Sequence, residues 1–258
     1  MARWVRFERD GAIGFGQIEG EAIAVHAGDM FSDLRPTGER VGLHQVRLLA
    51  PTTPSKMIAL WNNFHALAAK LGQAQPSEPL YFIKAPSSYA GPDTEVRRPA
   101  GYDGKVVFEG ELGIVIGKRC RRVDEAGAKA AVFGFTCIND ITAADILNRD
   151  PSFAQWTRAK SYDGFGLMGP AIATGLDPST LVVRTVLNGS ERQNYPIADM
   201  VFPVDKLVSL LSHDMTLEPG DVICCGTSVG VGAMREPHNA VEISIDGIGT
   251  LRATYADT

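Results

Sequence analysis

This sequence predicts a strand-rich, mixed α+β fold, and three observations lead there. Short runs rich in Val, Ile and Phe recur along the whole chain, bounded by Gly, Pro, Asn or Asp. Helix-like segments are few and short. No regular alternation of strand and helix marks a doubly wound sheet, and there is no internal repeat or low-complexity tract.

Residues 1–50 open with Trp4–Phe7, Ala12–Phe15 and Ala22–Val25, separated by Gly and acidic turns, which predicts a small N-terminal β domain built as a meander. Pro51-Thr52-Thr53-Pro54 is a stiff connector, so residues 51–258 are expected to form the principal domain. There Lys56–Leu60 reads as a strand leading into a short helix within Asn62–Gly72, where the asparagine pair can cap, Ala and Leu favour helix, and Gly72 can end it. Leu80–Lys84 is a strand and Pro86–Pro99 a loop. Val106–Ile116 reads as one strand, Asp124–Ala131 as a helix, Val132–Ile138 as a strand and Ala143–Arg149 as a short helix. Leu181–Val186 followed by Asn188-Gly189 predicts a hairpin, since tight hairpin turns need residues that tolerate positive φ. Pro203–Ser212 reads as a helix with Leu207, Leu210 and Leu211 on one face, and Asp221–Cys225 and Val241–Ile245 close the sheet.

Composition excludes several function classes. The chain has 258 residues, 45% of them hydrophobic and 21% charged, with a net charge of −5, which is ordinary globular composition. No long basic run or aromatic–basic interleaving occurs, so nucleic acid is not an expected partner. The densest basic cluster, Lys118–Arg122, reads as a solvated turn. Cys120, Cys137, Cys224 and Cys225 have neither metal-type spacing nor a disulfide framework, and the vicinal pair lies in an apolar stretch that suggests small core residues. The N-terminus lacks the apolar region of a secretion signal, and no segment is apolar and long enough to span a bilayer. A cytoplasmic setting without membrane contact is the expectation.

The chemistry centres on Glu109-Gly110-Glu111. Side chains two apart on a strand project from the same face, so two carboxylates share one apolar strand and repel each other. A hard cation bound through oxygen relieves that repulsion; a solvated strand face is the plain alternative. Asp140 ends the next apolar run. If the two strands are neighbours, three carboxylates meet in a site for Mg²⁺, Mn²⁺ or Ca²⁺.

Other candidates surround this pair. His65 lies where a strand hands over to a helix and is the readiest general base near neutral pH, although a capping or packing role suits the position equally. His26, His44, His213 and His238 have no comparable setting. Lys160 follows a helix-like stretch, where it can offset the acidic charge, bind an anionic substrate or simply pair with a surface Asp. Lys84, ending a strand, is a weaker candidate of the same type. Gly226–Gly232 is a glycine-rich turn after a buried strand, and its backbone N–H groups can cradle a carboxylate or enolate oxygen. It lacks the spacing of a P-loop or a dinucleotide site.

In their order these segments resemble the fumarylacetoacetate hydrolase family. They run from Asn63-x-His65 through Phe82-Ile-Lys-Ala-Pro-Ser-Ser88 and Phe108-Glu-Gly-Glu-Leu-Gly-Ile-Val-Ile-Gly-Lys118. Asn139-Asp-Ile-Thr-Ala-Ala-Asp145, Arg158-Ala-Lys-Ser-Tyr-Asp-Gly-Phe165 and Gly226-Thr-Ser-Val-Gly-Val-Gly232 complete the series. The similarity covers about Lys56 to Ala253. It implies a mixed β-roll with short helices, usually a homodimer, acting on 2-oxo acids that chelate a Mg²⁺ or Mn²⁺ held by the positions matching Glu109, Glu111 and Asp140. It further implies Lys160 and Thr227 near the substrate oxygens and His65 as the catalytic histidine of a lid segment; Lys84 and Gly226 join the substrate-binding candidates from their own settings. Two departures stand out. Members that cleave acylpyruvates carry His-x-x-Glu, and here that place is Ala68. Val107 stands where relatives often have Asp.

What the resemblance implies for function is a hydrolase cleaving a C–C bond in a 2,4-dioxo acid of the acylpyruvate type, in aromatic-compound catabolism. The same scaffold also serves isomerisation of 2-hydroxyhepta-2,4-diene-1,7-dioate and oxo-acid decarboxylation, and Glu78–Pro86 and Met215–Asp221 look similar to that branch. A third possibility is a metal-binding member without turnover. The missing glutamate weighs against hydrolysis and less against proton transfer.

Overall fold

The computed structural model describes residues 1–257. Four strands open the chain: β1 (Ala2–Arg9), β2 (Ala12–Glu19), β3 (Ala22–Asp29) and β4 (Asp33–Gly42). They form an antiparallel meander, and Asp10 and Gly11 adopt positive φ of 51° and 79° at its first turn. Next come β5 (Arg47–Leu48), β6 (Met57–Trp61), α1 (His65–Leu71), β7 (Leu80–Lys84), β8 (Tyr89–Ala90), β9 (Thr94–Arg97), β10 (Val106–Phe108) and β11 (Gly110–Ile116). The middle of the chain adds α2 (Glu125–Ala131), β12 (Val132–Asp140), β13 (Thr142–Ala143), α3 (Ala144–Leu147), α4 (Trp156–Lys160) and β14 (Gly166–Thr174). The last part holds β15 (Val182–Leu187), β16 (Ser190–Pro196), α5 (Val204–Asp214), β17 (Val222–Cys224), β18 (Gly232–Ala233), β19 (His238–Ile245) and β20 (Gly249–Ala256).

This is the strand-rich mixed architecture the composition of runs predicted. A twelve-stranded sheet runs β4-β3-β2-β1-β14-β12-β11-β17-β6-β7, with β5 on β1 and β8 on β14. The meander continues this sheet through β1, whose Ala2–Trp4 pair with Ile172–Thr174 of β14. A five-stranded sheet, β16-β15-β19-β20-β9, packs over β11, β12 and β14. The apolar core between the two sheets includes Leu112, Ile114, Val183, Ile243 and Leu251. A three-stranded sheet, β13-β10-β18, closes one end.

Three local expectations change. Val106–Ile116 is not one strand: β10 belongs to the small sheet and β11 to the large one, and the chain crosses between them at Glu109. Gly110 makes the crossing possible, because a Cβ there would lie 2.0 Å from Thr185 Oγ1. The asparagine pair does not cap α1. Asn63 instead donates through Nδ2 to Cys225 O at 2.8 Å and accepts from the Phe202 N–H at 3.1 Å. Asp199 takes over the cap, accepting from the Ala66 N–H at 3.0 Å. The segment Pro86–Pro99 is not all loop, since β8 and β9 add parallel to β14 and β20.

Other elements follow their local chemistry. Gly72, with φ of +64°, ends α1, and Asn188 and Gly189 turn the β15–β16 hairpin with φ of 50° and 78°. Asp124 caps α2 by accepting from the Gly127 N–H at 2.8 Å. All four cysteines are buried free thiols. Burial pushes Cys137 up to about 12 and holds Cys224 and Cys225 well above the ordinary thiol value, which matches a packing role.

The connector is pinned by a buried charge. Asp221 is fully buried and accepts from Ser55 Oγ at 2.6 Å, Lys56 N at 3.1 Å and Glu218 N at 2.8 Å, and it pairs with the Lys56 ammonium. Asp221→Ala would strip these donors of their acceptor and strand the Lys56 charge. It is expected to lower unfolding free energy by about 3–5 kcal/mol in a denaturant titration. A loss within experimental error would show that β6 is held in register without this clip.

Candidate metal centre

The register of β11 against β12 builds the centre. Gly110 pairs with Asn139, and the Asp140 N–H donates to Glu109 O at 2.9 Å, so the strand-end aspartate is drawn to the carboxylate pair. Glu109, Glu111 and Asp140 each bring a carboxylate oxygen within 4.8 Å of the other two. Glu111 and Asp140 are buried, whereas the Glu109 side chain keeps 17% exposure, so the cluster opens to solvent on the Glu109 side.

Two lysines complete the charge pattern. Lys160, at the end of α4, donates to Glu109 Oε2 at 2.9 Å and to Asp140 Oδ2 at 2.7 Å. Lys84, at the end of β7, is fully buried and spends its ammonium on Asp140 Oδ1 and Lys160 O. It therefore faces the back of Asp140 rather than open space. Three carboxylates against two ammoniums leave one negative charge uncompensated. Burial pushes the Asp140 carboxyl up, but Lys160 and Lys84 outweigh it and hold the group below its usual value. Burial likewise opposes the Lys160 ammonium, yet Asp140, Glu109 and Glu111 hold it above its usual range.

Glu111 is the exception. Burial, and then the nearby Asp140 charge, push its carboxyl well above the ordinary range. Its Oε2 accepts from the Gly226 N–H at 3.0 Å, but its buried Oε1 has no hydrogen-bond partner among the described residues. Such an orphaned oxygen beside two further carboxylates fits a hard divalent cation, as does the all-oxygen donor set. Glu109, Glu111 and Asp140 would hold the ion.

The remaining candidates fall as follows. Gly226, at φ +86°, lets its turn reach Glu111. Thr227 donates its hydroxyl to Gly110 O at 3.0 Å and accepts from Gln193 Nε2 at 2.8 Å. His65 begins α1 with an exposed side chain, on a segment joined to the Gly226 turn by the Asn63–Cys225 bond. Ala68, three residues on, is buried and supplies no polar group.

Several neighbours escaped the sequence reading. Thr142 donates to Glu109 Oε1 at 2.6 Å, and Asn139 Oδ1 accepts from the Glu109 N–H at 3.1 Å. The two-residue period that linked Glu109 to Glu111 would also have linked Asp140 to Thr142. Gln193 and Tyr195 reach Gly110 from β16 and gave no local signal. Trp156 stacks on Phe82 at 5.5 Å and meets Trp61 at 5.0 Å. Lys160 Nζ lies 5.6 Å from the Phe82 ring centroid, so an aromatic wall flanks the ammonium. A separate cavity of about 590 Å³ between α2, the start of β12 and α5 is lined by none of these residues.

The chain resembles known proteins over nearly its whole length. A family model described as fumarylacetoacetate (FAA) hydrolase C-terminal matches residues 56–256, and one described as Rv2993c-like, N-terminal, matches residues 2–51. The oxaloacetate tautomerase YisK of Bacillus subtilis is 34% identical over 251 residues, 90% of this chain and 82% of that protein. The crystal structure of 2-hydroxyhepta-2,4-diene-1,7-dioate isomerase from Mycobacterium marinum superposes with a TM-score of 0.90 at 36% identity, covering 100% of this chain and 99% of that one. Maleylpyruvate hydrolase from Sphingobium sp. SYK-6, in complex with manganese(II) ion and pyruvate, gives a TM-score of 0.79 at 29% identity, covering 99% of each chain.

Proposed function

The chain belongs to the fumarylacetoacetate hydrolase family, and from that premise we propose that it is a Mg²⁺- or Mn²⁺-dependent enzyme that moves a proton between the enol and keto forms of a 2-oxo acid. The observation that carries the metal dependence is the buried, unpartnered Glu111 Oε1 beside Glu109 and Asp140. The relatives support the substrate class, since oxaloacetate and pyruvate are both 2-oxo acids. When bound, the ion supplies Lewis-acid polarisation of a 2-oxo acid's oxygens.

The chain's own groups do the rest. Lys160, held against Glu109 and Asp140, presents a cation at the edge of the cluster, where it can attract the substrate carboxylate and steady developing oxygen charge. The Phe82 ring, backed by Trp156 and then Trp61, flanks that ammonium on one side. His65 would take a proton from one carbon or oxygen and return it to another. Ala68 favours this assignment, because a lone histidine suffices to shuttle a proton, whereas activating water calls for an orienting partner.

A second reading, hydrolysis of a C–C bond in a 2,4-dioxo acid, has one observation in its favour: Asp199 is a carboxylate already bonded to the first turn of the His65 helix. Turnover in labelled water separates the two. Deuterium entering a substrate carbon without cleavage is the expected result. Appearance of ¹⁸O in a newly formed carboxylate would overturn it in favour of hydrolysis.

A further inference from the structure

We propose that Gln193 is a positioning residue for this metal centre, locking Gly110, the residue between Glu109 and Glu111, to the Thr227 turn. The inference rests on the metal reading above. Gln193 lies on β16 in the five-stranded sheet, where alternation buries Gln193 and Tyr195 while Arg192 and Asn194 stay exposed. It touches no carboxylate. Its carboxamide is nevertheless fully engaged: Oε1 accepts from the Gly110 N–H at 3.0 Å, and Nε2 donates to Thr227 Oγ1 at 2.8 Å and Ser228 O at 3.3 Å.

The hydrogen positions follow from one obligatory donor. The Gly110 N–H can only donate, so the facing atom of Gln193 is its oxygen and the amide cannot be flipped. Its NH₂ then faces Thr227, whose hydroxyl must accept. The Thr227 proton is left to Gly110 O, 3.0 Å away, and the ring closes on the residue where it began. Tyr195 adds a second donor to the same carbonyl at 2.6 Å. Thr227 Oγ therefore has no proton left for a ligand and can meet one only as an acceptor, which suits an enol O–H better than an enolate.

Geometry explains why this matters to the metal. Gly110 is the one residue between the two glutamates, at the point where the chain passes from one sheet to another. Its partner in the ladder is Asn139 on β12, and the two peptide planes that flank it, one carrying its N–H and the next its carbonyl, face Gln193 and the Thr227 turn instead of a further strand. Rotation of either plane would swing Glu109 and Glu111 apart; Gln193 opposes it in the Glu109–Gly110 peptide, and Thr227 and Tyr195 oppose it in the Gly110–Glu111 peptide.

Calorimetric titration of the substrate-free protein with Mn²⁺ alone tests the assignment. Gln193→Met keeps the volume and removes both hydrogen-bonding ends, and a ~10–100-fold weaker Mn²⁺ affinity is expected. Thr227→Val breaks the same ring from the other side and should weaken binding comparably. The double variant should lose no more than the larger single loss, because both changes break one unit. An unchanged Mn²⁺ affinity in Gln193→Met, with a lowered melting temperature, would reduce Gln193 to a packing role and overturn the proposal. If Gln193→Met fails to fold, unchanged affinity in Thr227→Val overturns it equally. A wild-type protein that takes up no Mn²⁺ would bring down the metal reading itself, an outcome distinct from loss of the Gln193 role alone.

Discussion

Glu111→Gln is expected to remove Mn²⁺ uptake and turnover together while making the metal-free protein more stable. The substitution keeps size and shape, and an amide oxygen can still accept from the Gly226 N–H. What disappears is the negative charge of a wholly buried group whose Oε1 has no partner. A residue one step removed from a metal costs ~10–100-fold in affinity or activity, so loss of a ligand should exceed that range. The stability gain has a definite pH signature. Burial, reinforced by Asp140, raises the Glu111 carboxyl in the fold, so the folded chain keeps a proton that the unfolded chain has already lost. Stability of the chelator-treated wild type should therefore fall as pH rises from the ordinary carboxylate range through the raised value. Melting curves of Glu111→Gln should lack that fall. Full activity or undiminished Mn²⁺ uptake in this variant would refute the metal assignment, and identical pH slopes would show that the fold does not hold a proton on Glu111.

Lys84→Met is expected to produce a large stability loss, and one that metal repairs. The Lys84 ammonium is fully buried and partners Asp140 and Lys160 O. Without it Asp140 keeps only Lys160, and the cluster carries a second uncompensated negative charge. Breaking a buried pair from one side costs about 3–5 kcal/mol. The added negative charge also attracts a divalent cation more strongly, and an ion that binds only the folded chain stabilises it by mass action. Saturating Mg²⁺ or Mn²⁺ should thus recover much of the melting temperature lost by Lys84→Met, and should raise that of wild type by less. A variant destabilised equally with and without metal would show that Lys84 packs the core and does not balance the cluster.

These two experiments touch residues of unequal legibility. Glu111 was visible because a two-residue period is a local property and a carboxylate in an apolar run stands out. Asp140 was visible because it ends such a run. The structure brings all three carboxylates together through the β11–β12 register, a non-local pairing that the sequence only made possible. Lys84 stands out as a strand-end cation, but its orientation behind Asp140 depends on β7 lying at the sheet edge beside β6, far from β12 in the chain. Asn63 shows the limit of local rules: read as a helix cap, it is instead engaged by Cys225 and Phe202. Gln193 left no trace in the sequence, because a polar residue in an amphipathic strand reads as exposed until another sheet covers it.

Local chemistry alone, acting over a few residues, determined the strand-rich class, the meander, the hairpin at Asn188-Gly189, the end of α1 at Gly72 and the acidic identity of the centre. Only the tertiary structure decided that the glutamate strand breaks between two sheets, that one carboxylate oxygen of Glu111 is left buried without a partner, and that Gln193 closes a ring around Gly110. The reason is physical. Periodicity and turn propensity are carried by neighbours along the chain, whereas burial, charge balance and hydrogen-bond satisfaction are properties of groups that meet only when distant strands pair.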